Sequence, residues 1–580
     1  MKKHALQLGI VLLILALLPL CGQADRRIST KDELISYLKT AASFKSDNIR
    51  FEYADSLYSG IDDSDWMGEV LNEAGIFTAS WRYGNNTCTL SNINYMPAHT
   101  YCTTEDQVLS ALRSASNGSV NIRVSSGLYA KLTANDFRLL HELEGKAGLD
   151  SRRMSYYSSS RLFLYTEVKY AANFSQVSTI SQVKQLMSSY RTQNKTEYTI
   201  QCTASLYKQL TKNNFEQMYL IEGACGFSDR NLSYNDSKYT FYYSQIVYAS
   251  NFTSVQTLNE FKQCMYDRTQ NLTGEFTIHC TAELYDQLSR DSFQLTNDIE
   301  SNCGIYQRQM TYSNSNKTIH YTNIEYHPGF YVARCIRLGR TGQLTGKKLT
   351  LYREAKSILQ QINPSRYSDK VELQFALQDA IMDRTVYYKG YTAGEQDTAI
   401  GALLNGRCEC DGYADAFYLL ADMAGFDVHF QTGQDYKDGE NHLWNIIRHN
   451  GKWYFTDLTW CDDDDGFSSH MYTNIGRDIA ATAYRWNEQG MLVQLASSSA
   501  VQANYHSRNN LIFSSYKEAG SYVEKKLRAG NKHVEILVKK PSGENIESTV
   551  KKVKNYIDTG YKVSYHHTDE YVCFVFSPYK

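Results

Sequence analysis

The sequence predicts a multidomain α+β protein: four tandem α-β-α-β-β repeats, a separate α+β domain, and a divergent further repeat at the C-terminal end. Three observations lead there. The chain has 580 residues, more than one hydrophobic core can serve. Its first half repeats itself. From about Leu349 the texture changes to apolar helical stretches followed by a segment dense in cysteine, histidine and aspartate. The balance of 42% hydrophobic and 21% charged residues is that of a folded protein. The 46 tyrosines against 6 prolines favour twisted, half-exposed strands over extended linkers. A formal net charge of −2 provides no field to gather nucleic acid or anionic lipid, so neither is expected as a partner.

Residues 1–24 read as a signal peptide. Lys2 and Lys3 precede an apolar run from Leu8 to Leu20, and Gly22-Gln23-Ala24 resembles a small-x-small cleavage site. A lipoprotein signal anchored at Cys21 is the less favoured alternative, because Leu20 stands where such signals carry a small residue. No second run of about 18 apolar residues follows, so no membrane span is expected and the protein is expected to be secreted or held at the cell envelope.

Repeats are expected over 25–100, 101–175, 176–253 and 254–332. Leu-Tyr recurs at Tyr58, Tyr129, Tyr207 and Tyr285, each followed eight residues on by an aromatic: Trp66, Phe137, Phe215 and Phe293. Tyr170, Tyr248 and Tyr326 set a period of 78 (248 − 170 = 326 − 248 = 78). In the second copy a helix over Glu105 to Leu112 leads to a strand at Val120 to Val124. A second helix closes near Ala147-Gly148, where glycine suits the left-handed position, and two strands finish the unit. Residues 513–580 repeat the order more loosely, with helices at Tyr516 to Leu527 and Ile546 to Ile557 and strands at His533 to Val538, Lys562 to Tyr565 and Tyr571 to Phe576. The repeats are expected to act as a spacer, or to offer exposed tyrosines to a cell-surface or envelope partner.

Comparison between copies also suggests disulfides. Cys202 and Cys225 are 23 apart (225 − 202), as are Cys280 and Cys303 (303 − 280); the second copy has Val124 and Ala147 at the matching places. Because both members change together, Cys202–Cys225 and Cys280–Cys303 bridges are expected, each contributing about 3 kcal/mol by the chain-entropy model. The alternative is four buried thiols.

A linker over 333–348 leads to the domain expected at 349–490. Helices are expected at Leu351 to Ile362, stopping before Pro364, and at Val371 to Tyr388. The segment from Gly406 to Phe417 then runs into a helical stretch, Tyr418 to Ala424, that ends at Gly425. This puts Cys410 at or just before a helix start, where unpaired N–H groups and the helix dipole favour a thiolate. Downstream, His442 to Ile447 reads as a strand, Asn450-Gly451 as a turn and Lys452 to Asp457 as the returning strand. With Asn450-Gly451 as the loop, Trp444 faces Asp457 and His442 is its diagonal neighbour. With His449-Asn450 as the loop, His442 faces Asp457 directly. Both registers put His442 and Asp457 on one face, because side chains alternate with period two. Cys410, His442 and Asp457 are therefore the expected catalytic residues: nucleophile, base and orienting carboxylate.

Three blocks, Cys-x-Gly-Tyr-Ala-x-Ala-Phe from Cys410, His-x-Trp-Asn from His442 and Gly-x-Trp-Tyr-x-x-Asp-x-Thr-Trp from Gly451, resemble the transglutaminase-like superfamily, whose fold is related to papain-like thiol proteases. The resemblance covers roughly 350–485. It implies a papain-like α+β domain and assigns the nucleophile to Cys410, the general base and acid to His442 and the third role to Asp457. Members include cross-linking enzymes, deamidases, peptidases and inactive relatives. The resemblance thus implies acyl chemistry on a protein or peptide substrate, as a cysteine peptidase or a transglutaminase-type acyltransferase, with hydrolysis favoured. The alternative is a repeat-built surface binding protein with an inert scaffold domain.

Cys408 is a rival nucleophile, but Cys410 is in register with Gly412-Tyr413-Ala414. Cys408 and Cys461 could be bridged near the site. Zinc held by Cys408, Cys410 and His442 lacks a fourth ligand, and the acidic run Asp462 to Asp465 lacks the spacing of a calcium loop. No cofactor or metal is expected. His429 and His449 read as ordinary strand and turn residues, and Trp444, Trp453 and Trp460 as packing around the catalytic strands. A linker over 491–512 precedes the last repeat.

Overall fold

The computed structural model describes residues 27–115, 118–390, 394–436, 438–462, 468–496, 503–567 and 570–578. The expected signal peptide, with Cys21, and Asp463 to Asp465 of the acidic run lie outside the described residues. The chain forms two compact units, residues 1–218 with 228–247 and residues 219–227 with 248–580. Among the described residues no helix is long and apolar enough to cross a membrane.

Five four-stranded sheets share one strand order. In the first, Arg27–Ile28 runs parallel to Ile49–Tyr53, and Ile76–Gly84 and Thr87–Tyr95 complete it antiparallel in the order first-second-fourth-third. The sheets that begin at Thr100, Phe174, Phe252 and Ile512 repeat that order. Each unit therefore opens with a strand of two to four residues that the sequence reading lacked, making it β-α-β-α-β-β. Two to four residues are too few to display an alternating pattern. The first helix of three units begins at a capping box: Thr104 with Gln107, Thr179 with Gln182 and Thr257 with Glu260. The second helix is interrupted where the aromatic marker stands. Asn135, Asp136 and Phe137 all take positive φ (49°, 55°, 60°), as do Asn213 to Phe215 and Asp291 to Phe293. Asn and Asp tolerate this region best among residues with a side chain, which accounts for their recurrence just before the phenylalanine.

Three of the repeats also bury a carboxylate that periodicity did not reveal: Glu144, Glu222 and Glu300. In the first unit Glu144 is fully buried and accepts from Arg152 Nε at 2.9 Å and from the Tyr165 hydroxyl at 3.1 Å. In the second unit Glu300 takes Arg308 Nε at 2.8 Å; the offset is two periods (300 − 144 = 308 − 152 = 156). A charge is tolerated there because the guanidinium is ordered with it.

The expected bridges are corrected by the structure. Cys202, Cys225, Cys280 and Cys303 are all buried and none is in a disulfide. Cys280 neighbours Cys264, while Cys303 hydrogen-bonds Thr269. Their concerted change from small apolar residues reflects burial: Cys280 and Cys303 belong to one apolar core, where a thiol behaves as a small hydrophobe. Cys408 and Cys461 are likewise buried and outside any disulfide.

The second unit holds the chemistry-bearing segment. Helix α1 (Pro328–Arg337) begins with proline in its first turn and is followed by α2 (Gly346–Ile362) and α3 (Lys370–Met382). Part of the stretch expected as a linker is therefore helix, tied down by Arg334 and Arg337 on the buried Asp422. Helix α4 spans Cys410–Met423 and ends with Gly425 at φ +83°. Its longer length than the expected Tyr418 start places Cys410 as the first helical residue.

Against α4 lies an antiparallel sheet of β1 (Val428–Asp435), β2 (Asn441–His449), β3 (Lys452–Thr456), β4 (Thr473–Ile475) and β5 (Tyr484–Arg485), in the order β4-β3-β2-β1-β5. Asn450 and Gly451, at φ 49° and 80°, form the two-residue turn, and Asn445 pairs with Thr456. Extending that register by one residue sets Trp444 opposite Asp457, the first of the two expected alternatives. The core is continuous from the fourth repeat into α4 and β2, from Phe276 and Ile299 through Phe330 to Phe417 and Leu443. The unit ends with short helices α5 (Arg477–Ala483) and α6 (Tyr505–Arg508) and the fifth repeat-type sheet. That sheet comprises β6 (Ile512–Phe513), β7 (Val534–Lys539), β8 (Tyr561–His567) and β9 (Tyr571–Pro578).

Candidate active site

Cys410 stands at the first position of α4 because the residues around it leave few other choices. Gly412 has no room for a side chain: an added Cβ would lie 2.4 Å from Cys408 Cβ and 2.6 Å from the Gln396 carbonyl oxygen. Asp415, one turn on, is fully buried and accepts backbone N–H bonds from Gly329 (2.8 Å), Phe330 (2.9 Å) and Ala399 (2.9 Å). It thereby satisfies two of the unpaired N–H groups at the start of α1 and ties two segments to the nucleophile helix. Burial nevertheless pushes its carboxyl up to about 6. Asn445 of β2 donates to the Ala414 carbonyl at 3.1 Å, locking the sheet to the same helix.

The structure brings the three expected residues together. His442 Nε2 lies 2.7 Å from Asp457 Oδ2, with both side chains buried. The Cys410 side chain also interacts with His442, and with Nε2 engaged by Asp457 the ring nitrogen left for sulfur is Nδ1. Asp457 is held in turn: its Oδ1 accepts from Thr459 N at 2.9 Å and Trp460 N at 3.4 Å. Its Oδ2 also accepts from the Tyr484 hydroxyl at 2.6 Å. The Tyr484 ring stacks on the imidazole, with centroids 5.6 Å apart and planes at 14°. Trp444 and Trp460 flank the same ring at 5.9 and 6.3 Å.

The electrostatics differ from the helix-dipole expectation. Burial pushes the Cys410 thiol up, against the pull of His442 and of the Leu443 N–H. Burial also works against a charged His442, but Asp457 and the thiol together lift the imidazole well above its ordinary value. A thiolate here therefore depends on an imidazolium partner more than on the helix end. Asp411 accepts from the thiol at 3.4 Å, burial raises its carboxyl to about 6, and its charge opposes a thiolate.

The rival assignments separate in the same way. Cys408 is fully buried, and burial drives its thiol far above the usual range. His449 Nε2 donates to the Gln374 amide oxygen at 2.5 Å in a buried network, and His429 packs between Tyr266 and Trp453. Asp462, the described member of the acidic run, takes the Tyr413 hydroxyl. The sequence reading missed Tyr484. It lies 27 residues beyond Asp457 on a two-residue strand, with no motif to mark it.

Tyr484 is a positioning residue by this geometry. Tyr484→Phe removes one donor from the Asp457 carboxylate and returns charge to its bond with His442. The alkaline limb of the pH–rate profile for Cys410 alkylation is expected to move up by about half a pH unit. An unchanged profile would show that the hydroxyl is only packing.

No family model matches the chain, and no curated protein matches it. Two solved structures are similar over part of it. One is described as a TGase, with TM-score 0.19 and 12% identity over 32% of this chain and 50% of that one. The other is a candidate cysteine protease of Cytophaga hutchinsonii, with TM-score 0.18 and 13% identity over 28% of this chain and 64% of that one. The chain thus spans about half to two thirds of the length of each.

Proposed function

We propose that this protein is an exported thiol enzyme that cleaves or transfers acyl groups of peptide or glutamine amides through Cys410, His442 and Asp457. The observation that carries this reading is the chain of contacts from the Cys410 thiol through His442 to Asp457 at 2.7 Å. Cys410 sulfur attacks the amide carbon while its proton passes to His442. As the tetrahedral intermediate collapses, the C–N bond breaks and His442 returns that proton to the departing ammonia or amine. The first N–H groups of α4, which have no intrahelical acceptor, are suited to hold the developing oxyanion. Water then attacks the thioester with His442 as base, giving a carboxylic acid and restoring the thiol. A lysine amine in place of water would give an isopeptide bond instead. Hydrolysis is the default at a site with solvent access, and Cys410 is partly exposed.

The test exploits that exposure. Of the twelve described cysteines, Cys410 is half-buried and the other eleven are buried. Rapid alkylation of the folded protein is therefore expected at Cys410, and it is expected to disappear in Cys410→Ala and to slow sharply in His442→Ala. Incubation with a glutamine-rich protein and a tagged amine, read by mass, then separates cleavage, deamidation and amine incorporation. Alkylation no faster than that of an ordinary thiol and indifferent to His442 would instead favour a binding scaffold.

A further inference from the structure

We infer that His506, Glu535 and Cys573 form a structural zinc site where the C-terminal sheet meets helix α6. His506 Nε2 lies 2.8 Å from Glu535 Oε1, and Cys573 Sγ lies 3.5 Å from that oxygen and 3.6 Å from the same nitrogen. Each residue offers one ligand atom, and these atoms lie within 4.8 Å of one another. A tetrahedral zinc ion with bonds of about 2.0–2.3 Å sets its ligand atoms about 3.3–3.7 Å apart. The two sulfur edges already have that length, and only the nitrogen–oxygen edge must open, by about half an ångström.

Hydrogen bonding alone leaves the cluster unbalanced. Glu535 Oε1 faces three donors, because the His470 N–H also reaches it at 2.7 Å. The Ser469 hydroxyl, on a fully buried residue, lies against the Cys573 thiol. The fourth position of a tetrahedral ion would fall to that hydroxyl or to water. An ion drawing on Cys573 and His506 would relieve the crowded oxygen. Soft thiolate with imidazole and one carboxylate favours zinc over calcium or magnesium.

The wider setting supports a structural ion. His470 bridges Glu535 Oε2 and Asp379 Oδ1, each at 3.0 Å, and so orients the carboxylate as a second shell. A cavity of about 300 Å³ lined by Met471, Asn504, Ser507, Leu537 and Tyr571 lies along the same seam. Cys410, His442 and Asp457 are absent from the cluster, so this site is separate from the zinc reading of Cys408, Cys410 and His442. Its ligands are spread over 67 residues (573 − 506), with no spacing a sequence motif would register.

The experiment uses the full chain, freed of metal with a chelator, desalted and titrated with zinc and with cobalt. About one zinc ion per chain is expected, together with a cobalt–thiolate absorption band that is lost in Cys573→Ser and kept in Cys410→Ala. The wild-type unfolding midpoint is expected to rise with zinc and fall back with chelator, a readout that does not depend on a variant folding. Wild-type protein that retains under about a tenth of an equivalent, shows no shift in midpoint, or loses its band in Cys410→Ala overturns the site. Such a failure leaves the acyl-transfer reading untouched.

Discussion

Asp457→Ala is expected to slow Cys410 alkylation and any amide turnover by about a thousandfold, a loss of roughly 4 kcal/mol. Burial alone would hold His442 below its ordinary value, and the Asp457 charge is the first influence that overcomes it. Without that charge the imidazolium loses its stabiliser, and the thiolate it supports is lost with it. The sign follows directly. His442 then deprotonates at lower pH, so the thiolate–imidazolium pair loses population at neutral pH and the alkaline limb of the profile moves toward acid. Tyr484→Phe moves the same limb the other way, so the pair of variants separates charge from packing. A pH profile for Asp457→Ala that matches wild type would remove the carboxylate from the mechanism.

Gly412→Ala is expected to cost about 3 kcal/mol or more, read as a lower denaturant midpoint, and to abolish rapid alkylation. The added methyl would meet the Cys408 side chain at 2.4 Å and the carbonyl oxygens of Gln396 and Thr398 at 2.6 and 3.0 Å. Two of those atoms are backbone, so relief requires moving the loop that feeds α4, and Cys410 would move with it. Gly68→Ala is the control: it sits inside a helix with nothing within 4 Å of an added Cβ. There the substitution should leave stability unchanged or raise it by up to about 1 kcal/mol. Equal effects at the two positions would mean that packing at Gly412 is looser than the contacts indicate.

The two variants also mark how far the residues alone could be read. The Asn450-Gly451 turn made the parity of His442 and Asp457 legible, because a two-residue hairpin leaves few registers and each keeps them on one face. Gly412 was visible as part of a motif, but its reason was not, since Gln396 and Thr398 approach from a loop more than ten residues earlier. The concerted cysteines show the opposite error. Co-change between copies reported shared burial, and covalent bonding was read into it.

The linear order of residues was enough for local matters. It determined the 78-residue period, the helix that carries Cys410 and the common face of the histidine and aspartate. Each of these follows from side-chain alternation, helix periodicity or turn chemistry over a few residues. Folding alone decided that the thiol reaches the imidazole, that Tyr484 shares the Asp457 oxygen, and that His506, Glu535 and Cys573 meet. It also decided that burial, more than the helix end, governs the Cys410 thiol. Those outcomes depend on segments far apart in the chain entering a common low-dielectric interior, and no short pattern encodes such a meeting.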